Sequence, residues 1–208
     1  MADTVDQWEA FLNPNIIRPK LISAGLFLVG HEMLLDTIKR HPVSFFSDSW
    51  TVDGPEVGPD YEKEVLARDP KNKRDALRGS IAWLRMMDVI SADDEAAIKV
   101  VTDARNELAH EMTAMVSGSK PPNFARHFES LMGLVQKIEK WWIFNVELST
   151  NPDFDGQEID EDGIVSGPSW IMHMLGQVAL GEGDEAWALY REFVQQREAK
   201  EADASPEN

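Results

Sequence analysis

The residues in this sequence best suited to chemistry fall within Asp103–Met112, which reads DARNELAHEM. Arg105 can bind two non-bridging phosphate oxygens at once and offset the charge that builds on them during attack. His110 can pass a proton near neutral pH. Asn106, four residues before His110 and so on the same helix face, can orient the imidazole or a ribose. Glu107, one turn before His110, favours the protonated ring and with it a general-acid role. Together these groups suit attack on a phosphodiester. The plain alternative is a core arginine and a surface histidine that share a spacing by chance.

The helix that must carry them is visible in the spacing. Ile98, Val101, Arg105, Leu108, Met112 and Met115 recur at intervals of three and four, which is one continuous helical stripe. Arg105 occupies its centre. Asn106 and His110 lie roughly 100° and 140° round the helix from it, so the trio lines one shoulder rather than a point. A working site would form where that shoulder meets a second surface. Val101, Thr102, Leu108 and Ala109 are the neighbours three and four positions away, so no carboxylate on the same helix answers Arg105. A guanidinium cannot shed its charge. Its partner is either Glu32, the unusual carboxylate in the apolar segment 21–38, or a bound phosphate.

Two other constellations stand out. Between Arg68 and Arg85 lie six basic residues against Asp69 and Asp75, the clear basic cluster of an acidic chain. Lys73, Arg74 and Arg78 are its candidates for phosphate contact, and a solvated helix face is the bland reading. Glu158-x-Asp160-x-Asp162-Gly163 partly imitates a calcium loop, but Ser169 stands where the bidentate Glu belongs. An acidic surface hairpin is expected there, and no metal or cofactor.

The elements follow from periodicity and breakers. Trp8, Phe11 and Leu12 form a short amphipathic helix ended by Asn13-Pro14-Asn15, and Pro19 is placed as the first residue of the next helix. From Leu21 to Ile38 apolar residues occur on every side, which predicts a central buried helix. Residues 41–60 read as a long irregular loop, an apolar flap carrying Phe45, Phe46 and Trp50. A short helix is expected over 61–67, and one burying Leu77, Ile81 and Leu84 before Arg85. Ser91-Ala92-Asp93-Asp94 is a capping box with Asp in the Glu position, opening a helix that Ser117-Gly118 and Pro121-Pro122 end near Val116. A fourth long helix spans 123–148, an acidic loop 151–167, and two more helices 168–180 and 184–196, with a frayed polar tail from Glu198. The fold class is all-α, a four-helix up-down bundle with short peripheral helices and long loops.

Composition narrows the class. The net charge is −17, from 20 basic and 37 acidic residues, which disfavours general adhesion to nucleic acid or anionic membrane without excluding a local basic site. The chain has no cysteine, so disulfides and cysteine zinc sites are out. The first residues lack the apolar core of a signal peptide, and the apolar run from Leu21 to Gly30 is about half what a membrane helix needs. A cytoplasmic protein with no membrane partner is the expectation.

Arg105-Asn106-Glu107-Leu108-Ala109-His110 resembles the signature of the HEPN-domain family: Arg, a polar residue often Asn, then His, late in a helix of an all-α bundle. The resemblance covers residues 18–148, flanked by an extension over 1–17 and by an acidic loop and C-terminal helices over 149–208. It implies a metal-independent endoribonuclease whose Arg and His act across a homodimer cleft, with 2′-OH attack leaving a 2′,3′-cyclic phosphate. It nominates Arg105 and His110 as catalytic, with Asn106 supporting. It also implies RNA as substrate, a toxin, phage-defence or stress role, and an antitoxin or other protein partner. A member of a different class, a non-catalytic helical binding or assembly module with a structural Arg105–Glu32 pair, is the alternative.

Overall fold

The structure is a computed structural model that describes residues 8–9, 11–52, 54–116 and 124–203, the side chains of 109–116, 124–125 and 201–203 excepted. The chain is mostly α-helical. Among the described residues there are seven α-helices and one small two-stranded hairpin.

Helix α1, Pro14–Phe45, organises the rest. Asn13 caps it, its side chain accepting from the Asn15 amide at 3.0 Å, and Pro14 sits in the first turn, where a missing N–H costs nothing. The Asn-Pro-Asn run therefore ends the preceding helical turn at Asn13, as expected, and also opens α1, so that Pro19 lies inside the helix instead of at its start. The buried residues Ala24, Phe27, His31, Leu34, Thr37, Ile38 and His41 form one stripe, and α1 packs against four other helices. It is central as expected but not buried all round, since Leu21 and Val29 are exposed. By length and composition α1 could cross a membrane. Its place against the core of Leu84, Val101, Leu131 and Val135 accounts for the same composition without one.

The expected loop over 41–60 is instead the end of α1 followed by a hairpin, β1 (Ser47–Thr51) antiparallel to β2 (Gly54–Val57). Pro42 does not stop the helix, which runs on to Phe45. Gly54 turns the chain with φ 118°, a conformation that only glycine adopts easily. Phe45 and Phe46 anchor the base of this segment on Trp83, at ring distances of 5.7 and 5.8 Å, while Trp50 is 70% exposed. The flap is thus apolar at its root and open at its tip.

Helix α2 (Pro59–Glu64) leads through a short 3₁₀ turn, Leu66–Arg68, to α3 (Ala76–Met86). Gly79 lets α3 press on that turn, because a Cβ there would lie 2.5 Å from the Val65 carbonyl oxygen. The capping box forms as the sequence predicts: Ser91 Oγ accepts from the Asp94 amide at 3.1 Å and Asp94 Oδ2 accepts from the Ser91 amide at 2.7 Å. It opens α4, Ala92–Val116. The breakers expected at 117–122 lie outside the described residues.

Helix α5 (Phe124–Trp142) passes into a wider π-helical turn at Ile143–Leu148. Helix α6 (Gly167–Leu180) packs on α1 and α5, and α7 (Ala188–Asp203) begins later than expected and runs past Glu198, where a frayed tail was anticipated.

Candidate functional site

The predicted site begins on α4. Val101 and Leu108, which flank Arg105 on the stripe, are fully buried, so the backbone at Arg105 faces the core. Its long side chain does not stay there. Arg105 runs up to the seam between α4 and α1, where Nη2 donates to Glu32 Oε1 at 3.3 Å. The Arg105 side chain is 36% exposed and that of Glu32 62%. An arginine that buries its stem and surfaces its charge explains how a guanidinium tolerates the centre of an apolar stripe. Its Nε, by contrast, is buried with no hydrogen-bond partner among the described residues.

Beneath this pair lies His31, whose side chain is 3% exposed. Thr102 Oγ1 donates its proton to the Ile98 carbonyl at 2.8 Å, so it can only accept from His31 Nε2, 3.2 Å away. That places the ring proton on Nε2 and leaves Nδ1 bare. Nδ1 is buried without a donor, 3.7 Å from Glu32 Oε1. Burial lowers the His31 pKa below 6.5; Glu32 opposes the shift and Arg105 adds to it, and the net direction is down. The seam therefore holds a buried neutral imidazole beneath a guanidinium and a carboxylate, the carboxylate being the most exposed of the three.

Asn106 and Glu107 are exposed on the next positions of α4. His110 belongs to the same helix, and its side chain lies outside the described residues. Arg105 and Glu32 are brought together; the relation of His110 to them is not part of the described geometry.

The basic cluster is organised by carboxylates of its own neighbourhood. Asp69 is buried, and it accepts from Arg78 Nε at 2.7 Å and Nη2 at 2.9 Å and from the amides of Lys71, Lys73 and Asp75. The Arg78 bonds hold the Asp69 carboxyl well below its ordinary range. Arg74, at φ 53°, pairs with Glu62. Lys73 stands exposed on the turn that Asp69 gathers. These cations sit on α3 and its leading turn, while Arg105 sits on α4.

A second polar cluster gathers round Glu139 and includes His41, which the sequence pattern places in a loop. Glu139 on α5 is 5% exposed, and its Oε1 accepts from Thr37 Oγ1 at 2.9 Å, Arg40 Nη2 at 2.8 Å and His41 Nε2 at 3.0 Å. Burial pushes the Glu139 pKa up, but the bonds and charges of His41, Thr37 and Arg40 outweigh it, and the net direction is down. The His41 ring stacks on Trp142 with centroids 4.4 Å apart. This cluster pins the C-terminal end of α1 to α5. Continuing the α1 stripe through Pro42 was the signal that could have found it.

Among the described residues no three His, Asp or Glu side chains are gathered as a metal site requires. The 158–163 segment forms a 3₁₀ turn at Glu161–Gly163, with Asp160 capping it through the Asp162 amide. No family model matches the chain, and neither the curated proteins nor the solved structures contain a match to it.

Proposed function

We propose that the protein is a metal-independent endoribonuclease of the HEPN type, a homodimer whose helices α1, α3, α4 and α5 form the four-helix frame. The observation that carries this reading is the state of Arg105. Its guanidinium is at the surface, held by one long contact to a mostly exposed carboxylate. A phosphate brings two charge-assisted bonds where Glu32 supplies one, and can take its place.

In this reading Arg105 binds the non-bridging oxygens and offsets their growing charge. The ribose 2′-oxygen attacks phosphorus, giving its proton to solvent, and the bond to the next nucleotide's 5′-oxygen breaks. His110 gives that oxygen its proton, Asn106 orients the imidazole, and Glu107 keeps it protonated. The products are a 2′,3′-cyclic phosphate and a free 5′-OH. Such a role fits a toxin, a phage-defence factor or a stress-response enzyme with a protein regulator.

The test is incubation of the purified protein with single-stranded RNA in EDTA, with end-group analysis. Cleavage to cyclic-phosphate ends is expected, falling by about 10²-fold or more in Arg105→Lys and in His110→Ala. Cleavage that both variants retain would overturn the site.

The Arg105–Glu32 contact itself favours a second reading, a non-catalytic helical binding or assembly module in which the pair is structural. That reading expects no RNA cleavage at any protein concentration.

A further inference from the structure

Beside the Glu139 cluster lies an open cleft of about 360 Å³ that the ribonuclease reading leaves unused. Its walls are Trp50 from the hairpin, Trp142, His41 and Arg40, with Glu139 at the base and Glu147 on the π-helical turn.

The charges of this cleft are unequal. Arg40 is committed to Glu139 at 2.8 Å and lies 3.8 Å from Asp36. Glu139 is answered by Arg40, His41 and Thr37. Glu147 is exposed and has no ion pair among the described residues. The N-terminus of α6 also reaches the cleft at Gly167 and Pro168, yet it offers an anion no more than the single Gly167 amide. Pro168 has no N–H, the Ser169 amide is capped by Ser166 Oγ at 3.3 Å, and the Trp170 amide is bonded to the Ser166 carbonyl at 2.9 Å. The unmet charge in the cleft is therefore negative, on a chain whose net charge is −17.

The exposed indole of Trp50 completes the pattern. A Trp face attracts cations through its quadrupole, and an unpaired carboxylate adds a coulombic attraction for the same cation. We propose that this cleft receives a basic side chain, a guanidinium or an alkylammonium, from a positively charged segment of a partner protein. The cation sits between the Trp50 ring and the Glu147 carboxylate, and the stem lies towards Ile143 and Trp142. Arginine is favoured over lysine, because its planar group stacks on the ring while donating to the carboxylate. The inference is independent of the ribonuclease reading.

The test uses the full chain and three probes: the blocked tripeptides acetyl-Gly-Arg-Gly-amide and acetyl-Gly-citrulline-Gly-amide, and uridine monophosphate. The readout is the indole N–H resonance of Trp50, assigned by its loss in Trp50→Phe. The arginine peptide is expected to shift that resonance saturably, and the neutral citrulline peptide to bind at least about tenfold more weakly. Glu147→Gln is expected to weaken arginine binding about three- to tenfold. Trp50→Ala is expected to do the same, followed on the Trp142 indole. Both residues are exposed, so circular dichroism should show an unchanged fold. Equal binding of arginine and citrulline, no response to any probe, or undiminished affinity in both variants would overturn the proposal. A response to uridine monophosphate alone would also overturn it and make the cleft an anion site.

Discussion

Arg105 Nη2 meets Glu32 Oε1 across 3.3 Å, a single contact that joins α4 to α1 at the surface above a buried imidazole. The carboxylate is mostly in solvent, so screening weakens the pair, and holding two long side chains together costs entropy. Arg105→Met, which keeps the buried stem and removes only the charge, should therefore cost no more than about 1 kcal/mol, or about 2–4 °C in Tm for a chain of this size. Calorimetry at neutral pH measures it. A loss of about 3 kcal/mol or more would mark a bridge that the fold depends on and favour the non-catalytic module.

His31 should make stability fall as the pH drops below neutral. Its pKa in the folded chain lies below the 6.5 of the unfolded chain. Between those values the unfolded state takes up a proton that the native state refuses, so stability declines as pH falls through that window and levels off beneath it. One such proton gives a slope of at most about 1.4 kcal/mol per pH unit. Chemical denaturation at a series of pH values should show this slope in the parent chain and a flatter dependence in His31→Gln. Glu32→Gln removes the carboxylate that opposes the shift, and should carry the decline to lower pH.

Glu139 supports the junction of α1 and α5. Glu139→Ala strands Thr37 and His41 in the interior and leaves Arg40 without its close partner, a loss of about 3–5 kcal/mol. Since the folded pKa of Glu139 lies below its ordinary 4.5, its contribution is complete above that value. It disappears as the pH falls through the folded pKa. Acid unfolding followed by circular dichroism should start from a less stable native state in Glu139→Gln and show a weaker dependence on pH below 4.5. An unaltered acid transition in that variant would refute the assignment.

Arg78 is expected to act on the fold before it acts on any ligand. Its two bonds to buried Asp69 close a turn in which Asn72 and Arg74 both hold positive φ. Arg78→Ala should lower Tm and speed tryptic cleavage after Lys71, Lys73 and Arg74. RNA affinity per folded molecule should stay within about twofold, because a phosphate contact already occupied by a carboxylate adds little. Asp69→Asn should reproduce the proteolysis, and a variant that resists trypsin like the parent would refute the account.

The periodicity of Ile98–Met115, the Ser91–Asp94 box and the apolar run of α1 were readable directly, because helix spacing, caps and breakers act within a few residues of one another. On the same grounds the sequence showed that Arg105 had no partner on its own helix and that Glu32 was a candidate. It could not show how far the side chain would travel. A guanidinium on a stripe of buried neighbours is read as buried, and only the seam between two helices decides that it surfaces. The 41–60 segment was misread for a related reason. His41-Pro42 and the Gly-Pro pairs look like local breakers, yet α1 continues through Pro42 because the Glu139 carboxylate and the Trp142 ring of a helix distant in sequence hold its last turns in place. Local rules determined where helices begin and which faces are apolar. Tertiary structure alone decided that Arg105 reaches Glu32 and that Thr37, Arg40 and His41 converge on Glu139, because those meetings join residues some seventy to a hundred positions apart.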